Sequence, residues 1–284
     1  MRSKFVLFVF CMLSICSYGQ YDDSALHLLN WKISCQAYTF KEFTFIETLD
    51  KLNQLGIQYV EIYPNQKLGD GTDRTTNFKI PGMAGILKKI LNEKNISALS
   101  YGVVTPKSET EWYDLFTFAK ELGISVIISE PAYNQLDMVE KMVDEFNVKL
   151  AIHNHPAPSP YFSPEIILSN LKGRSSRIGV CADIGHFVRS GISSLDAIRD
   201  LRNRIICLHL KDLNSWGVRD AHDVPWGTGV CDIPGVLNIV RTLGAKANLF
   251  MTTEYEYNWK KSQPEVAESI QYLYRVTHSM LEKY

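Results

Sequence analysis

Segments with the pattern of β-strands and of α-helices alternate along this chain of 284 residues, and each type occurs eight times. The strand-like segments are short runs rich in β-branched residues, whereas the helix-like segments carry apolar residues at three- and four-residue spacing. Strands are predicted at 33–39, 59–63, 98–104, 126–130, 149–155, 178–183, 205–211 and 249–255. Helices are predicted at 43–55, 83–91, 109–122, 136–146, 164–171, 194–201, 233–243 and 264–281.

Because strands that alternate with helices pair in parallel, these units predict a closed (β/α)8 barrel of the α/β class. An open, doubly wound sheet is the alternative, but no Gly-x-Gly-x-x-Gly turn follows the first predicted strand. No linker or low-complexity stretch divides the chain. We therefore expect a single barrel domain over residues 20–284.

The first 19 residues have the pattern of a secretory signal peptide. Arg2 and Lys4 precede an apolar run over residues 5–15, and small residues lie just before a cleavage point at Gln20. A lipoprotein signal centred on Cys16 is the alternative, although Ile15 is bulky where a small residue belongs. We expect export of the chain, to the periplasm, and no later stretch is apolar enough to span a membrane.

The charge balance limits the partners of the chain. It has 30 basic and 31 acidic side chains, a formal net charge of -1. A protein held to nucleic acid or to anionic lipid by charge alone is broadly basic. We therefore expect neither nucleic acid nor a lipid surface as partner, whereas an oligomer is compatible with the sequence.

Side chains that can bind metals or move protons cluster at the carboxyl ends of the predicted strands, where the chemistry of a (β/α)8 barrel takes place. They are Glu130, His153, His155, Asp183, His186, His209, Lys211, Glu254 and Glu256. Asp183, His209 and Glu254 end three consecutive strands, and Glu130 ends the fourth strand. Three carboxylates and one imidazole suit one divalent ion, Mn²⁺, Co²⁺, Zn²⁺ or Mg²⁺. A buried salt-bridge network without an ion is the alternative.

Four short motifs make nearly the whole chain after residue 19 resemble a known superfamily. They are Cys-Ala-Asp-Ile-Gly-His at 181–186, Leu-His-Leu-Lys-Asp at 208–212, Trp-Gly-Thr-Gly at 226–229 and Thr-Glu-Tyr-Glu at 253–256. In this order and spacing they resemble the xylose isomerase-like TIM barrel superfamily. That superfamily includes sugar isomerases and epimerases, inosose dehydratases and endonuclease IV.

The resemblance implies that Asp183, His209 and Glu254 bind a divalent ion and that His186 faces the substrate. The family usually takes its first metal carboxylate from strand five, where this chain has His-Asn-His at 153–155. We expect Glu130 to be the fourth ligand, because a carboxylate balances the charge of the ion better than an imidazole. In the alternative, His153 is the ligand and Glu130 serves the substrate.

Such a site could remove a proton beside a sugar carbonyl, because a bound ion polarises the carbonyl and acidifies the neighbouring C–H. The candidates for catalysis are Glu130, Glu254, His155, His186 and Lys211, the last as a fixed charge for the developing oxyanion. Lys211 in an internal salt bridge and His155 as a hydrogen-bonded rim residue are the alternatives. Residues expected to contact substrate are His153, Glu61, Arg219, His222 and Trp226. For Glu61 an internal ion pair is equally compatible with the sequence.

These residues predict a metal-dependent keto-sugar isomerase or epimerase with a small sugar as substrate. A lyase or hydratase acting on unphosphorylated 3-keto sugars or glycosides uses the same intermediate, and the expected export favours unphosphorylated substrates. A non-catalytic sugar-binding protein is a further alternative. An endonuclease IV-like enzyme is disfavoured, because the ends of strands two and three lack the histidines of a three-metal site.

Overall fold

The computed structural model describes residues 22–243 and 249–282. The predicted signal peptide, residues 1–19, lies outside this part of the chain. Within the described residues, no helix has the length and apolar character needed to cross a membrane.

Eight parallel strands close into a barrel, in which the first strand along the chain is hydrogen-bonded to both the second and the last. They are β1 (Lys32–Gln36), β2 (Tyr59–Ile62), β3 (Ser97–Val104), β4 (Val126–Ser129), β5 (Lys149–His153), β6 (Ile178–Asp183), β7 (Ile205–Leu210) and β10 (Phe250–Thr253). A separate antiparallel pair, β8 (Asp212–Leu213) and β9 (Asp223–Val224), follows β7. The predicted single-domain (β/α)8 barrel is confirmed, and the open sheet is excluded because the first and last strands pair.

Helices lie between the strands and at both ends of the described chain. They are α1 (Ser24–Leu29), α2 (Phe45–Gln54), α3 (Met83–Lys94), α4 (Glu109–Leu122), α5 (Leu136–Phe146), α6 (Pro164–Leu171), α7 (Ile184–Arg189), α8 (Ser194–Leu201), α9 (Ile233–Arg241) and α10 (Gln263–Glu282). The eight predicted helices are all present, and α1 and α7 are additional.

Local signals explain why these helices begin and end where they do. The hydroxyl of Ser108 accepts the N–H of Glu111 at the start of α4, and Gly123 ends this helix with a φ of 88°. Only glycine adopts this left-handed conformation without strain. Helix α2 begins with a reciprocal capping box between Thr44 and Glu47. Such caps satisfy backbone groups that the helix itself leaves unpaired.

The interior of the barrel changes from apolar to polar along the strands. An apolar layer contains Val126, Ile128, Ala151, Cys181, Cys207 and Phe250. Two residues further along β5, β6 and β7 the same inward face carries His153, Asp183 and His209, because side chains alternate across a strand. Polar donors are thereby concentrated at the carboxyl end of the barrel, next to this apolar layer.

Candidate metal centre and active site

Four buried side chains direct one donor atom each to a common point at the carboxyl end of the barrel. They are His153, Asp183, His209 and Glu254, and their donor atoms all lie within 4.8 Å of one another. His153 Nε2 lies 3.2 Å from His209 Nδ1, and Glu254 Oε2 lies 2.9 Å from the same nitrogen. Asp183 Oδ2 is 3.6 Å from His153 Nε2 and 3.8 Å from His209 Nδ1. Two imidazoles and two carboxylates at this spacing are a donor set for a divalent transition metal.

The hydrogen bonding of this group supports the fit of an ion. His153 Nδ1 is buried and has no hydrogen-bond partner. Asp183 Oδ2 is buried and makes no hydrogen bond of normal geometry, although Lys211 Nζ lies 3.0 Å from it. A buried carboxylate oxygen with unused lone pairs is costly, and an ion between the four donors would use one of them. Burial raises the pKa of the Asp183 carboxyl, but His186 and Lys211 outweigh it, so that this pKa lies well below its ordinary value.

A second carboxylate holds the imidazole of His209 from behind. Its Nε2–H donates to Glu61 Oε1 at 3.0 Å, and Nδ1 is the nitrogen among the four donors. Glu61 also accepts from Gln36 Nε2 at 2.6 Å and from Ser100 Oγ at 2.7 Å, and it has no exposed surface. The structure therefore places Glu61 in an internal ion pair, where it orients His209, and not at the surface of the pocket.

Glu130 lies outside the group of four donors. Its Oε1 accepts from His155 Nδ1 at 2.9 Å, from the His155 N–H at 3.1 Å and from Ser159 Oγ at 2.9 Å. Of the two candidates for the fourth ligand, His153 belongs to the four-donor group and Glu130 does not. Glu130 as an ion ligand stays a prediction. Glu130, His153 and His155 form a second, adjoining group of possible ligands.

The pair formed by Glu130 and His155 is the part of the site closest to solvent. The side chain of His155 is 42% exposed and that of Glu130 is 15% exposed. Burial lowers the pKa of His155, but the ion pair with Glu130 outweighs it and raises this pKa above the ordinary value. His155 therefore lies at the rim, as a partly exposed imidazole oriented by a carboxylate.

Lys211 lies at the centre of the network with no exposed surface. Its Nζ is 3.0 Å from Asp183 Oδ2, 2.9 Å from Glu254 Oε2 and 2.9 Å from Glu256 Oε2. It also lies 3.3 Å from Nε2 of His186. Burial lowers the pKa of Lys211, but the three carboxylates outweigh it and raise this pKa well above the ordinary value. Lys211 is thus a positive charge beside two oxygens of the four-donor group.

Arg189 and Asp223 extend this network, and neither was predicted from the sequence. Arg189 Nη1 donates to Glu256 Oε2 at 2.6 Å and lies 3.0 Å from His186 Nδ1, and Nη2 donates to Asp223 Oδ2 at 3.1 Å. Burial raises the pKa of Glu256, but Lys211 and Arg189 outweigh it and lower this pKa to about 2. No local pattern identifies these residues, since Arg189 and Glu256 are 67 positions apart.

His186 is buried, 3% exposed, between Lys211 and Arg189. Its ring centroid is 5.1 Å from that of His155. Burial is the largest cause that holds its pKa well below the ordinary value, and the charge of Lys211 adds to it. The imidazole of His186 is therefore a weak base in this network, with Lys211 Nζ beside Nε2 and Arg189 Nη1 beside Nδ1.

Two of the sequence motifs have structural roles. The carboxylate of Asp212 accepts the N–H groups of Leu213, Gly227, Gly229 and Cys231 at 2.8–3.1 Å. A side chain at Gly229 would collide with Asp212. The Trp-Gly-Thr-Gly motif therefore holds the loop after β9 against β8.

Three residues predicted to contact substrate lie near this loop. Trp226 is 4% exposed and packs in the hydrophobic core. His222 stacks on Tyr257 with ring centroids 4.3 Å apart. Arg219 is exposed and donates to the carbonyl of Ala157, which joins the loop after β8 to the loop after β5.

Three aromatic rings form a cluster at the carboxyl end of the barrel, and two of them, Tyr38 and Tyr63, were not predicted as part of the site. Tyr38 follows β1, Tyr63 follows β2 and Trp259 follows β10. Tyr38 meets the other two rings edge to face, at centroid distances of 4.8 and 5.1 Å. Nζ of Lys41 lies 3.7 Å above the Trp259 ring. Aromatic rings beside a polar site are suited to the apolar faces of sugars.

Comparison with known proteins agrees with the fold and the motifs. The family model described as xylose isomerase-like TIM barrel matches residues 49–276. The chain belongs to this family. No curated protein matches the sequence at a significant level.

Solved structures of similar fold cover most of this xylose isomerase-like chain. An uncharacterized protein from Parabacteroides distasonis ATCC 8503 is 33% identical, with a TM-score of 0.69 over 86% of this chain and 98% of the other. A D-tagatose 3-epimerase-like protein is 16% identical, with a TM-score of 0.68 over 89% and 99%. The IOLI protein with a bound zinc atom is 15% identical, with a TM-score of 0.70 over 87% and 98%.

Proposed function

We propose that this protein is a divalent-metal-dependent sugar enzyme that removes a proton beside a carbonyl group, of the keto-sugar isomerase or epimerase type. The observation that carries the proposal is the convergence of His153, Asp183, His209 and Glu254, whose donor atoms lie within 4.8 Å of one another. The zinc atom bound to the IOLI protein, which has the same fold, supports the proposal of a bound ion.

The bound ion would supply Lewis acidity to a sugar carbonyl and its neighbouring hydroxyl. His153, Asp183, His209 and Glu254 would hold it, with Glu61 fixing the orientation of His209. This assignment follows the alternative in which His153, and not Glu130, completes the ligand set.

Two imidazoles are placed to move protons. His155 is partly exposed and its Nδ1 is held by Glu130, an arrangement that orients a general acid or base. His186 lies 5.1 Å from it, ring centroid to ring centroid, and is neutral at ordinary pH. Removal of a proton by one group and its return by the other would give epimerisation, whereas return to the neighbouring carbon would give isomerisation.

Lys211 would stabilise the negative charge that develops on a substrate oxygen. Its ammonium is fixed by three carboxylates and does not need to reorganise during the reaction. Desolvation increases the strength of such an interaction. Lys211 thus acts as an electrostatic group, while the imidazoles transfer protons.

We propose that the substrate is an unphosphorylated sugar, because residues 1–19 have the pattern of a signal for export to the periplasm. Phosphorylated sugars are intracellular. An oxidised sugar such as a 3-keto glycoside has an acidic C2 proton, and loss of a β-substituent from the same intermediate gives the lyase reaction. The lyase or hydratase function is therefore the second candidate.

The test is hydrogen exchange in D2O. Purified protein is loaded with Mn²⁺, Zn²⁺ or Co²⁺ and incubated with unphosphorylated ketohexoses and with a 3-keto glucoside, and the sugars are followed by NMR. We expect deuterium to enter at one carbon beside the carbonyl, with the products separating isomerisation, epimerisation and elimination. The Asp183→Asn variant is the matched control and should not exchange. Binding of these sugars without exchange under every metal condition would overturn the proposal in favour of a sugar-binding protein.

A further inference from the structure

We propose that Lys211 is an internal counter-cation for the ion-binding carboxylates, and that Glu256 holds its ammonium when a divalent ion binds. The inference rests on the ion site of the proposed function and deepens it, since it names the residues that set the affinity of that site. Lys211 and Glu256 act as positioning residues in this role, through Asp183 and Glu254.

The ammonium and the ion would share two oxygens. Lys211 Nζ lies 3.0 Å from Asp183 Oδ2 and 2.9 Å from Glu254 Oε2. The same two oxygens face His209 Nδ1, at 3.8 and 2.9 Å, as members of the four-donor group. An ion among the four donors would therefore share two of them, Asp183 and Glu254, with the positive charge of Lys211.

Glu256 offers the ammonium a third carboxylate outside the four-donor group. Its Oε2 lies 2.9 Å from Lys211 Nζ, so that the ammonium can strengthen this contact without a large movement. Arg189 Nη1 donates to the same oxygen at 2.6 Å, and Asp223 in turn holds Arg189 at 3.1 Å. Glu256 is therefore fixed in place whether or not an ion is present.

The path of the lysine side chain is also fixed. A Cβ built on Gly185 would lie 2.7 Å from Lys211 Cβ and 3.2 Å from its Cδ. The stem thus fits against the glycine of the Asp-Ile-Gly-His motif, and only the terminal bonds are free to redirect Nζ. This geometry keeps the ammonium within reach of both the ion-binding carboxylates and Glu256.

Two consequences follow from this arrangement. Without an ion, Lys211 neutralises part of the charge of Asp183 and Glu254, so that the folded protein does not depend on the ion for charge balance. When an ion binds, electrostatic repulsion between the ion and the Lys211 ammonium lowers the affinity of the site for the ion. Glu256 reduces this loss of affinity because it stabilises the ammonium. The coupling between the ammonium position and the ion is reciprocal.

The experiment is a double-mutant cycle on Mn²⁺ affinity, measured by isothermal titration calorimetry on the ion-free full chain. The variants are Lys211→Met, Glu256→Gln and the double variant, and Lys67→Met is the control, because Lys67 is exposed and lies outside the network. We expect Lys211→Met to tighten Mn²⁺ binding at least about tenfold. Glu256→Gln should weaken it about threefold or more in the wild-type background and have no effect beside Lys211→Met.

Each other outcome identifies which step is wrong. Unchanged or weaker binding by Lys211→Met overturns the counter-cation role. If Glu256→Gln changes the Mn²⁺ affinity equally in both backgrounds, Glu256 acts through its own charge. That result overturns the proposal that Glu256 holds the Lys211 ammonium when an ion binds. Circular dichroism confirms folding of the ion-free variants, and Lys211→Gln replaces the methionine variant if that one does not fold. Absence of binding of Mn²⁺, Zn²⁺ and Co²⁺ to the wild type overturns the ion site of the proposed function itself.

Discussion

The Nε2 atom of His209 lies 3.0 Å from Oε1 of Glu61, and neither side chain has exposed surface. This contact fixes which nitrogen of the imidazole is presented to the donor group. Partners of this kind, which orient a ligand without touching the ion, typically contribute 10–100-fold to metal affinity.

Replacing Glu61 by Gln should therefore weaken Mn²⁺ binding by about 10–100-fold. The amide keeps the shape of the side chain but does not hold Nε2–H as strongly. Calorimetric titration of the ion-free protein measures the change. Ser100→Ala removes only one hydrogen bond to Glu61 and is the milder control. An unchanged dissociation constant in Glu61→Gln would show that His209 is oriented by its surroundings alone.

A comparison of His153→Ala with Glu130→Gln separates an ion ligand from a proton-transfer group. His153 lies among the four donors, so that its loss should weaken Mn²⁺ binding strongly, by about 100-fold or more. Glu130 instead pairs with His155, and its loss should slow hydrogen exchange by about 10²–10⁴-fold while the Mn²⁺ affinity changes little. Strong loss of Mn²⁺ affinity in Glu130→Gln, with little loss in His153→Ala, would instead identify Glu130 as the ion ligand.

Removal of the ion should lower thermal stability. At a free Mn²⁺ concentration of 100 times the dissociation constant, binding to the folded state adds about 2.7 kcal/mol to the free energy of unfolding. For a domain of this size that raises the melting temperature by about 5–10 °C. Calorimetry with EDTA and with Mn²⁺ measures the difference, which Asp183→Asn should abolish. Equal melting temperatures of the wild type in both conditions would contradict the prediction.

Alanine at position 185 should destabilise the fold and displace Lys211. The added methyl group would lie 2.7 Å from Lys211 Cβ, and overpacking of this kind costs about 1–3 kcal/mol. Gly85→Ala is the matched control, because a Cβ there meets no atom within 4 Å. Chemical denaturation should show a loss for Gly185→Ala and none for the control. A neutral Gly185→Ala would mean that the lysine stem can move aside.

The capping box of α2 predicts a pH-dependent contribution to stability. The N–H and hydroxyl of Thr44 lower the pKa of the Glu47 carboxyl. A carboxyl whose pKa is lowered on folding stabilises the protein above its unfolded pKa, about 4.3, and this contribution is lost as the pH falls through the folded value. Thr44→Ala should cost about 1 kcal/mol at pH 7.

Denaturation at several pH values tests the role of the Glu47 carboxylate. Glu47→Gln should be less stable than wild type at pH 7, and the difference should shrink as the pH falls below about 4. A difference that stays constant with pH would show that the charge of Glu47 does not contribute.

The alternation of strand and helix made the barrel predictable, because hydrophobic periodicity is a local property of the sequence. The bounds of α4 and α5 agree with the prediction to the residue. Helix α7 was missed because it has only six residues, too few for a period, and because its first cap is Asp183, whose carboxylate accepts the N–H of His186. Asp183 both ends β6 and caps α7, so that no separate residue marks the start of the helix.

The site was predictable only where a motif carries it. The motifs identified Asp183, His209 and Glu254, all members of the four-donor group. They could not decide between Glu130 and His153, because both follow inward-facing positions of their strands and only the closed barrel shows that His153 is the one that lies with the other three donors. The ion pair between Arg189 and Glu256 joins distant parts of the chain, so that it appears only after folding.

The carboxylate of Asp212 accepts four backbone N–H groups at once, from both ends of the excursion that leads from β7 to α9. A loop restrained at so many points has little freedom to adapt to what enters beside it. We expect a substrate that contacts this loop to meet a preformed surface. Selectivity there then depends on the fit of the substrate and not on adjustment of the loop.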